Sequence, residues 1–199
     1  MCQTIILASQ SPRRKTLLQT AGYDVLVIPP DESAEHSVEF IDDPRCFVKE
    51  AAEAKARFVA KRLKEGVVLA ADTIAVCDSQ RLGKPTDRED ARRMLRQLSG
   101  RRHRVLTGVV LWHRPSDRIV RKIAETELQM DVLEEAEIES YLDTGLWKGK
   151  AGGFGYQDGW DWLHVVRGSE SNVVGLPIES LPVWLDELIQ LTRFSRPDQ

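Results

Sequence analysis

Three consecutive cations, Arg13, Arg14 and Lys15, follow the polar segment SQSP near the start of the chain. Ser11 can cap a helix and Pro12 suits a first helical position, so the pattern predicts that these cations lie in a first helical turn. Cations are unfavourable there, because the helix dipole already places positive charge at that end. Free backbone N–H groups point the same way, and phosphate is the usual ligand. The segment therefore predicts an anion site, unless the three side chains simply extend into water.

A fourth cation, Lys55, lies within the apolar stripe of a predicted second helix that runs from Pro44 to Lys64. It follows Ala51 by four residues and precedes Phe58 by three, so it points along the apolar face. A lysine in such a stripe must either extend its ammonium to water or meet an anion. The position agrees with an anion site but does not establish one.

A carboxylate, Asp72, interrupts the apolar segment VVLAADTIAVC, and Lys84 follows in the loop GKP. A buried carboxylate needs a cation, a metal or hydrogen-bond donors, unless Asp72 is a turn residue at a strand end. Lys84 could equally belong to an ordinary surface turn. Cations can neutralise a polyphosphate, and carboxylates can hold a divalent metal and orient a water. The residues together predict phosphate-ester or phosphoanhydride chemistry, without a named substrate.

Several other classes are excluded or disfavoured. The 28 Lys and Arg against 31 Asp and Glu give a net charge of −3, which does not suit a general nucleic-acid binder. No apolar segment approaches the ~18 residues of a membrane span. The glycines of GKAGGFG follow a helix and a loop, so they form no Walker or dinucleotide motif. Three dispersed cysteines predict no disulfide framework or zinc site and favour a reducing cytoplasm.

The elements that must position these residues alternate between strand and helix. Short apolar segments such as 4–8 and 67–77 predict buried strands, and Thr86 with Glu89 predicts a capping box before a third helix. The last helix is expected over Glu179–Leu191. No linker or repeat is found, so residues 1–199 are expected to form a single domain. The pattern predicts an α/β protein with a mixed sheet flanked by helices.

The motifs occur in an order that resembles the Maf family of nucleotide pyrophosphatases. The matching segments cover almost the whole chain: ILASQSPRRKTLL, AAEAKA, LAADTIAV, LGKP, QLSGRRHRVLTGV, YLDTG, GKAGGFGYQ and GSESNVVGLPIESL. The resemblance implies a Maf/ITPase-like fold, with a twisted mixed β-sheet and an active-site cleft between two lobes.

The same resemblance implies a reaction and roles for particular residues. The family hydrolyses a nucleoside triphosphate between its α- and β-phosphates, which releases the monophosphate and pyrophosphate. Asp72 is then the proton acceptor for the attacking water, and Asp72 and Glu32 would hold a divalent cation, Mg²⁺ or Mn²⁺. The residues expected to bind the triphosphate are Ser9, Arg14, Lys55 and Lys84.

Three residues favour the family branch that acts on dTTP and UTP, namely Arg13, Thr73 and Gln157. The amide of Gln157 both donates and accepts, which matches the O4 and N3–H of a pyrimidine. The segment TGLWKGKAGGFGYQDG, however, differs from the usual TGEPxDKAGAYGIQG. The differing residues beside the expected base pocket are Leu146, Gly149, Tyr156 and Asp158. These differences leave a broader nucleoside triphosphate specificity open.

Two alternatives stay open beside a dTTP/UTP pyrophosphatase that cleanses the nucleotide pool. One is a broad-specificity nucleoside triphosphate pyrophosphatase. The other is a nucleotide-binding regulator of septation or cell division without strong catalysis. The joint presence of Asp72, Lys55 and Lys84 favours catalysis, because a protein that only binds has no chemical need for all three. We expect a cytoplasmic protein with no nucleic-acid or membrane partner, and a homodimer is left open.

Overall fold

The computed structural model describes residues 4–31, 33–34, 38 and 41–193. By their internal contacts these residues form two compact units. The first unit takes the described parts of 1–72, 107–124 and 175–199, and the second takes 73–106 and 125–174. The sequence-based expectation of one domain over 1–199, with a cleft between two lobes, stays a prediction.

The first unit contains parallel strand pairing at the start of the chain. Strand β1 (Thr4–Leu7) pairs in parallel with both β2 (Asp24–Val27) and β3 (Gly66–Cys77). Helix α1 (Pro12–Thr20) follows β1, and helix α2 (Pro44–Ala60) precedes β3. The predicted alternation of strand and helix is confirmed here, although α2 ends at Ala60, before the expected Lys64.

The second unit begins where β3 continues past Asp72 into a hairpin with β4 (Gln80–Leu82). The further elements in chain order are α3 (Arg88–Leu98), β5 (Arg102–Arg114), β6 (Arg118–Met130), α4 (Glu135–Asp143), β7 (Leu163–Arg167) and α5 (Glu170–Val174). Residues 107–124, which include parts of β5 and β6, belong to the first unit. The chain then returns to the first unit with α6 (Leu181–Arg193).

The seven strands form one mixed sheet with the order β2-β1-β3-β5-β6-β7, and β4 pairs with β3 beside this path. The pairs of β1 are parallel, whereas β3–β4 and β6–β7 are antiparallel. Helices lie between the strands along the chain. The predicted α/β class with a mixed sheet flanked by helices is therefore confirmed.

Local sequence signals explain the helix that carries the cation triplet. Ser11 is the N-cap of α1 and its side chain accepts from the Arg14 N–H, as predicted, while Pro12 occupies the first turn. The expected Thr86–Glu89 capping box is wrong, because Asp87 is the N-cap of α3 and accepts from the Asp90 N–H. A carboxylate one residue later provides the same acceptor for the free N–H groups.

Each unit has its own apolar core. In the first unit, one cluster includes Ile5, Leu7, Leu69 and Leu111, and in the second unit Leu95, Leu128 and Tyr141 belong to another. The short helix α5 was not expected, and α6 begins two residues later than predicted, after a 3-10 turn at Ile178–Ser180. Among the described residues, no helix combines the length and apolar character that a membrane crossing requires.

Candidate active site

The predicted anion site at the start of α1 is built around Arg14. Its guanidinium is buried, with Nη1 donating to Ser9 Oγ at 3.0 Å and Nε donating to the Gly175 carbonyl at 2.9 Å. Ser9 Oγ also accepts from the Ser11 N–H at 3.2 Å. Arg14 is therefore held in one orientation at the positive end of a helix, which is the arrangement that favours an anion. The structure brings Ser9 and Arg14 together, as the sequence predicts.

The other cations of the triplet differ from Arg14 in their exposure. Arg13 is half-buried and Lys15 is exposed. Only the middle cation is buried, because the adjacent positions on a helix point about 100° away from it on either side. Of the three cations, Arg14 is therefore the one that is buried and held by hydrogen bonds to Ser9 and Gly175.

The buried lysine of α2 meets a carboxylate of β3. Lys55 Nζ lies 2.5 Å from Asp72 Oδ1, and the two side chains are only 8% and 13% exposed. The buried face of α2 around Lys55 includes the small residues Ala52 and Ala56. Of the two outcomes open to a lysine in an apolar stripe, this structure shows the meeting with an anion.

Each pair includes a residue that comes shortly after the parallel pairing of β1 with β3 in the first unit. Strand β1 aligns Leu7 with Leu69 of β3, and the Ala8 N–H continues the pairing by donating to the Leu69 carbonyl at 2.8 Å. Ser9 follows Leu7 by two residues, and Asp72 follows Leu69 by three. The carboxyl ends of parallel strands are where α/β proteins place their functional side chains.

Helix α2 is held against the sheet by a charged contact that the sequence analysis did not single out. Arg121 of β6 donates to both oxygens of Glu53, at 2.5 and 2.9 Å, and Arg57 donates to Oε1 at 2.9 Å. The Arg121 hydrogen bond, followed by that of Arg57, lowers the Glu53 pKa to about 2. The i,i+4 spacing of Glu53 and Arg57 was a usable signal. No sequence pattern pointed to Arg121, because it lies on β6, 68 residues after Glu53.

A close backbone approach fixes the same helix. Gly108 of β5 faces the start of α2, and a Cβ at this position would overlap the Val48 carbonyl. Glycine is required there for space, since its φ is not in the left-handed region. Because Gly108 and Glu53 both set how α2 lies on the sheet, they also set where Lys55 meets Asp72.

The remaining predicted residues that the structure describes belong to the second unit. Thr73 continues β3 and is half-buried, whereas Lys84 is exposed in the loop before α3 and has no ion-pair partner among the described residues. The Gly152 N–H donates to the Gly83 carbonyl at 2.9 Å, so the Lys84 loop touches the glycine-rich segment. Gln157 is exposed at the centre of the 3-10 turn Tyr156–Asp158.

Glu32, the expected second metal ligand, lies outside the described residues. Within the described ranges, no group of three or more His, Cys, Asp or Glu side chains is arranged to hold a metal. Asp72 is therefore the one predicted metal ligand whose surroundings are known, and its Oδ1 accepts from Lys55.

Comparisons with known proteins identify relatives of the chain. The chain is 48% identical over 189 residues, 94% of its length and 83% of the relative's, to a dTTP/UTP pyrophosphatase of Rhodopirellula baltica. It is 45% identical over 181 residues, 89% of its length and 90% of the relative's, to a dTTP/UTP pyrophosphatase of Anaeromyxobacter dehalogenans.

A solved structure supports the fold alone. A HAM1 protein from Coxiella burnetii aligns with a TM-score of 0.50 and 19% identity, over 93% of this chain and 99% of that one. The family model for Maf-like protein matches residues 4–188, which include every residue predicted for the site. This chain is thus a member of the Maf-like protein family.

Proposed function

We propose that this protein hydrolyses nucleoside triphosphates between the α- and β-phosphates, with dTTP and UTP as preferred substrates and the monophosphate and pyrophosphate as products. The observation that carries the proposal is the buried Lys55–Asp72 pair, in the same unit as the fixed Arg14. The pair combines a proton acceptor with a cation. The names of the relatives, which are up to 48% identical among those compared, support the same activity.

Asp72 is the proposed proton acceptor for the attacking water. Its Oδ1 accepts from Lys55, while no hydrogen bond reaches Oδ2 within the described part of the chain. Oδ2 is the oxygen proposed to accept the water proton. General base catalysis of this kind contributes about 10²- to 10⁴-fold to turnover.

The proposed triphosphate ligands are the hydroxyl of Ser9 and three cations, Arg14, Lys55 and Lys84. Arg14 is already oriented by Ser9 and the Gly175 carbonyl, so little reorganisation is needed when an anion arrives. Lys84 is exposed, so its ammonium must be ordered upon binding. Charge-assisted contacts of this type are the strong ones for phosphate.

A divalent cation, Mg²⁺ or Mn²⁺, is proposed as cofactor. Asp72 offers a carboxylate oxygen, the hard donor that these ions prefer, and Glu32 would be the second ligand. This small donor set fits Mg²⁺, which uses one or two carboxylates and takes its other ligands from phosphates and waters. When bound, the cation supplies positive charge to the phosphate oxygens.

The base is proposed to be selected by Arg13, Thr73 and Gln157. The Gln157 amide can donate to O4 and accept from N3–H of thymine or uracil, although turning the amide over would also suit cytosine. A second, fixed donor is therefore needed, and Arg13 is proposed to favour a carbonyl at C4. Each mismatched buried polar group costs about 1–3 kcal/mol, or about 10- to 100-fold in kcat/KM.

Pyrophosphate release from a nucleotide panel, with and without Mg²⁺ or Mn²⁺, tests the proposal. We expect dTTP and UTP to be hydrolysed faster than CTP, and purine triphosphates slowest. Asp72→Asn should reduce turnover by about 10²-fold or more. The matched control is Asp78→Asn, which alters an exposed carboxylate six residues later that pairs with Arg101.

Each alternative function predicts a different result in that assay. Equal kcat/KM for all common nucleotides would indicate a broad-specificity pyrophosphatase. Tight nucleotide binding without pyrophosphate release would indicate a regulator of septation or cell division. A cytoplasmic location and a homodimer stay predictions, to be tested by fractionation and by the mass of the protein in solution.

A further inference from the structure

Gln157 is the central residue of a single 3-10 turn, and the side chains at both ends of this turn are held by polar contacts. The turn spans Tyr156–Asp158, and the Asp158 N–H closes it by donating to the Gly155 carbonyl at 3.2 Å. The exposed Gln157 side chain makes no hydrogen bond within the described residues. Its position therefore depends on its neighbours in the turn and on what holds them.

The residue after Gln157 is anchored by a buried ion pair. Lys150 Nζ lies 2.5 Å from Asp158 Oδ1 and also contacts Oδ2, and the two side chains are 9% and 5% exposed. Tyr141 donates its hydroxyl to Asp158 Oδ2 at 2.8 Å. The carboxylate of Asp158 is thus held by two donors from different parts of the second unit.

This anchor is attached to the rigid core. Tyr141 lies on α4 and is 1% exposed, and its ring packs edge-on against Trp160 and Trp162 at centroid distances of 5.6 and 5.5 Å. Such perpendicular aromatic contacts restrict the ring and hence the direction of its hydroxyl. The ion pair therefore fixes the turn relative to α4 as well as to Lys150.

Tyr156, the residue before Gln157, is also held by a side-chain hydrogen bond. Tyr156 donates its hydroxyl to Glu170 Oε1 at 2.8 Å, at the start of α5. Gly155, just before it, leaves the space that the ion pair occupies, because a Cβ there would overlap the Asp158 carboxylate and the Lys150 ammonium. The φ of Gly155 is −133°, so the requirement is one of space and not of backbone conformation.

Stability alone does not explain a buried pair at this place. Removing two charges from water costs several kcal/mol per ion, and a well-packed apolar pair is often equally stable or more so. What the charges add is a defined geometry, since the carboxylate must face its donors. In the turn Tyr156–Asp158, that geometry determines where Gln157 stands.

We propose that the buried Lys150–Asp158 pair, with Tyr141, is a positioning device that holds Gln157 where it selects the pyrimidine base. The proposal rests on the proposed function. Lys150, Asp158 and Tyr141 do not touch the substrate in this account, and they act through Gln157. Loss of the pair should therefore weaken base selection. CTP should be affected least, because its C4 amino group does not match the fixed donor Arg13, so its base is held against Gln157 less well than thymine is.

The test uses Lys150→Met/Asp158→Leu, which replaces the ion pair by apolar side chains, and Gly155→Ala, which crowds the pair without removing a charge. The readout is the ratio of kcat/KM for dTTP over CTP. We expect this ratio to fall about tenfold, towards that of Gln157→Ala, with kcat/KM for CTP nearly unchanged. The matched control is Arg96→Met/Glu135→Leu, which removes an exposed ion pair of the same unit and should leave the ratio unchanged.

Two further measurements separate positioning from general destabilisation. In the Gln157→Ala background, removal of the pair should not lower the ratio again, because the residue through which it acts is gone. Hydrogen exchange of the backbone amide at position 158, which closes the turn, should become faster when the pair is removed. An additional loss of the ratio in that background, or unchanged exchange, would overturn the proposal.

The same experiment distinguishes the failure of the proposed function. A wild-type protein that does not prefer dTTP over CTP would refute base selection by Gln157, and the role of the pair in it. A selective wild type whose ratio survives both Lys150→Met/Asp158→Leu and Gly155→Ala would refute the positioning role alone. Hydrogen exchange reports on the turn in either case, since it needs no substrate.

Discussion

Replacing Lys55 by methionine should strongly destabilise the folded protein. The sequence pattern alone suggests the opposite, because removing a cation from an apolar stripe relieves its desolvation. In the structure, however, Lys55 is the partner of Asp72 at 2.5 Å, and both side chains are buried. Lys55→Met leaves the carboxylate of Asp72 without its cation. Breaking a buried pair by removing one partner costs about 3–5 kcal/mol.

Two further variants test whether this loss of stability comes from the unpaired carboxylate of Asp72. Asp72→Asn keeps an oxygen that can accept from Lys55, so its cost should be smaller, about 1–3 kcal/mol. Lys55→Met/Asp72→Asn buries no unpaired charge and should be more stable than Lys55→Met alone. The coupling free energy of this cycle should therefore be about 1–3 kcal/mol.

The assay is urea denaturation at pH 7 without nucleotide or divalent cation, because bound ligands would stabilise the folded state by mass action. A loss of 3–5 kcal/mol corresponds to a midpoint shift of about 1–3 M urea. The control is Lys64→Met, an exposed lysine of the same unit that has no ion-pair partner among the described residues. The reasoning fails if Lys55→Met unfolds at the midpoint of the wild type, or if the double variant is no more stable than Lys55→Met.

Two further predictions concern stability. Burial lowers the His103 pKa to about 4, below its unfolded value of about 6.5, so stability should fall by about 2 kcal/mol between pH 7 and pH 5 as the unfolded chain takes up the proton. His103→Phe should remove most of this loss in urea denaturation at the two pH values, and an equal loss in the variant would contradict the assignment. Gly108→Ala should lower stability by about 1–3 kcal/mol, because its Cβ would overlap the Val48 carbonyl. Gly83→Ala is the control, since no heavy atom lies within 4 Å of the Cβ position, and thermal unfolding of both variants provides the comparison.

At the start of α1, nearby residues predict the helix and its cap but not every contact of Arg14. Ser11, Pro12 and the cation triplet predict a capped helix with an anion site, and the structure has that helix with Arg14 bound to Ser9. Both features depend on residues within five positions of each other. The second acceptor of Arg14, the Gly175 carbonyl, comes from 161 residues away and has no side-chain signature. No local pattern could have predicted it.

The glycine-rich segment shows the opposite case. Compared with the family pattern, Gly149 and Asp158 are two separate departures, and each alone suggests a disturbed base pocket. In the structure, Asp158 accepts from Lys150 and Tyr141. A carboxylate at 158 is therefore part of a pair, eight residues from its lysine. Residues eight positions apart do not contact each other in a regular helix or strand. Only the turns between Lys150 and Asp158 bring the two side chains together.

The Lys55–Asp72 pair also constrains how the proposed reaction can proceed. While Asp72 is ionised, its carboxylate largely compensates the Lys55 ammonium at 2.5 Å, so the lysine has little net charge to offer a phosphate. If Asp72 accepts the water proton, that compensation ends, and Lys55 becomes a full cation at the moment when negative charge grows on the phosphate oxygens. An ion pair of this kind couples proton transfer to charge stabilisation. Asp72→Asn should therefore weaken turnover more than nucleotide binding, since it removes the base but frees the lysine.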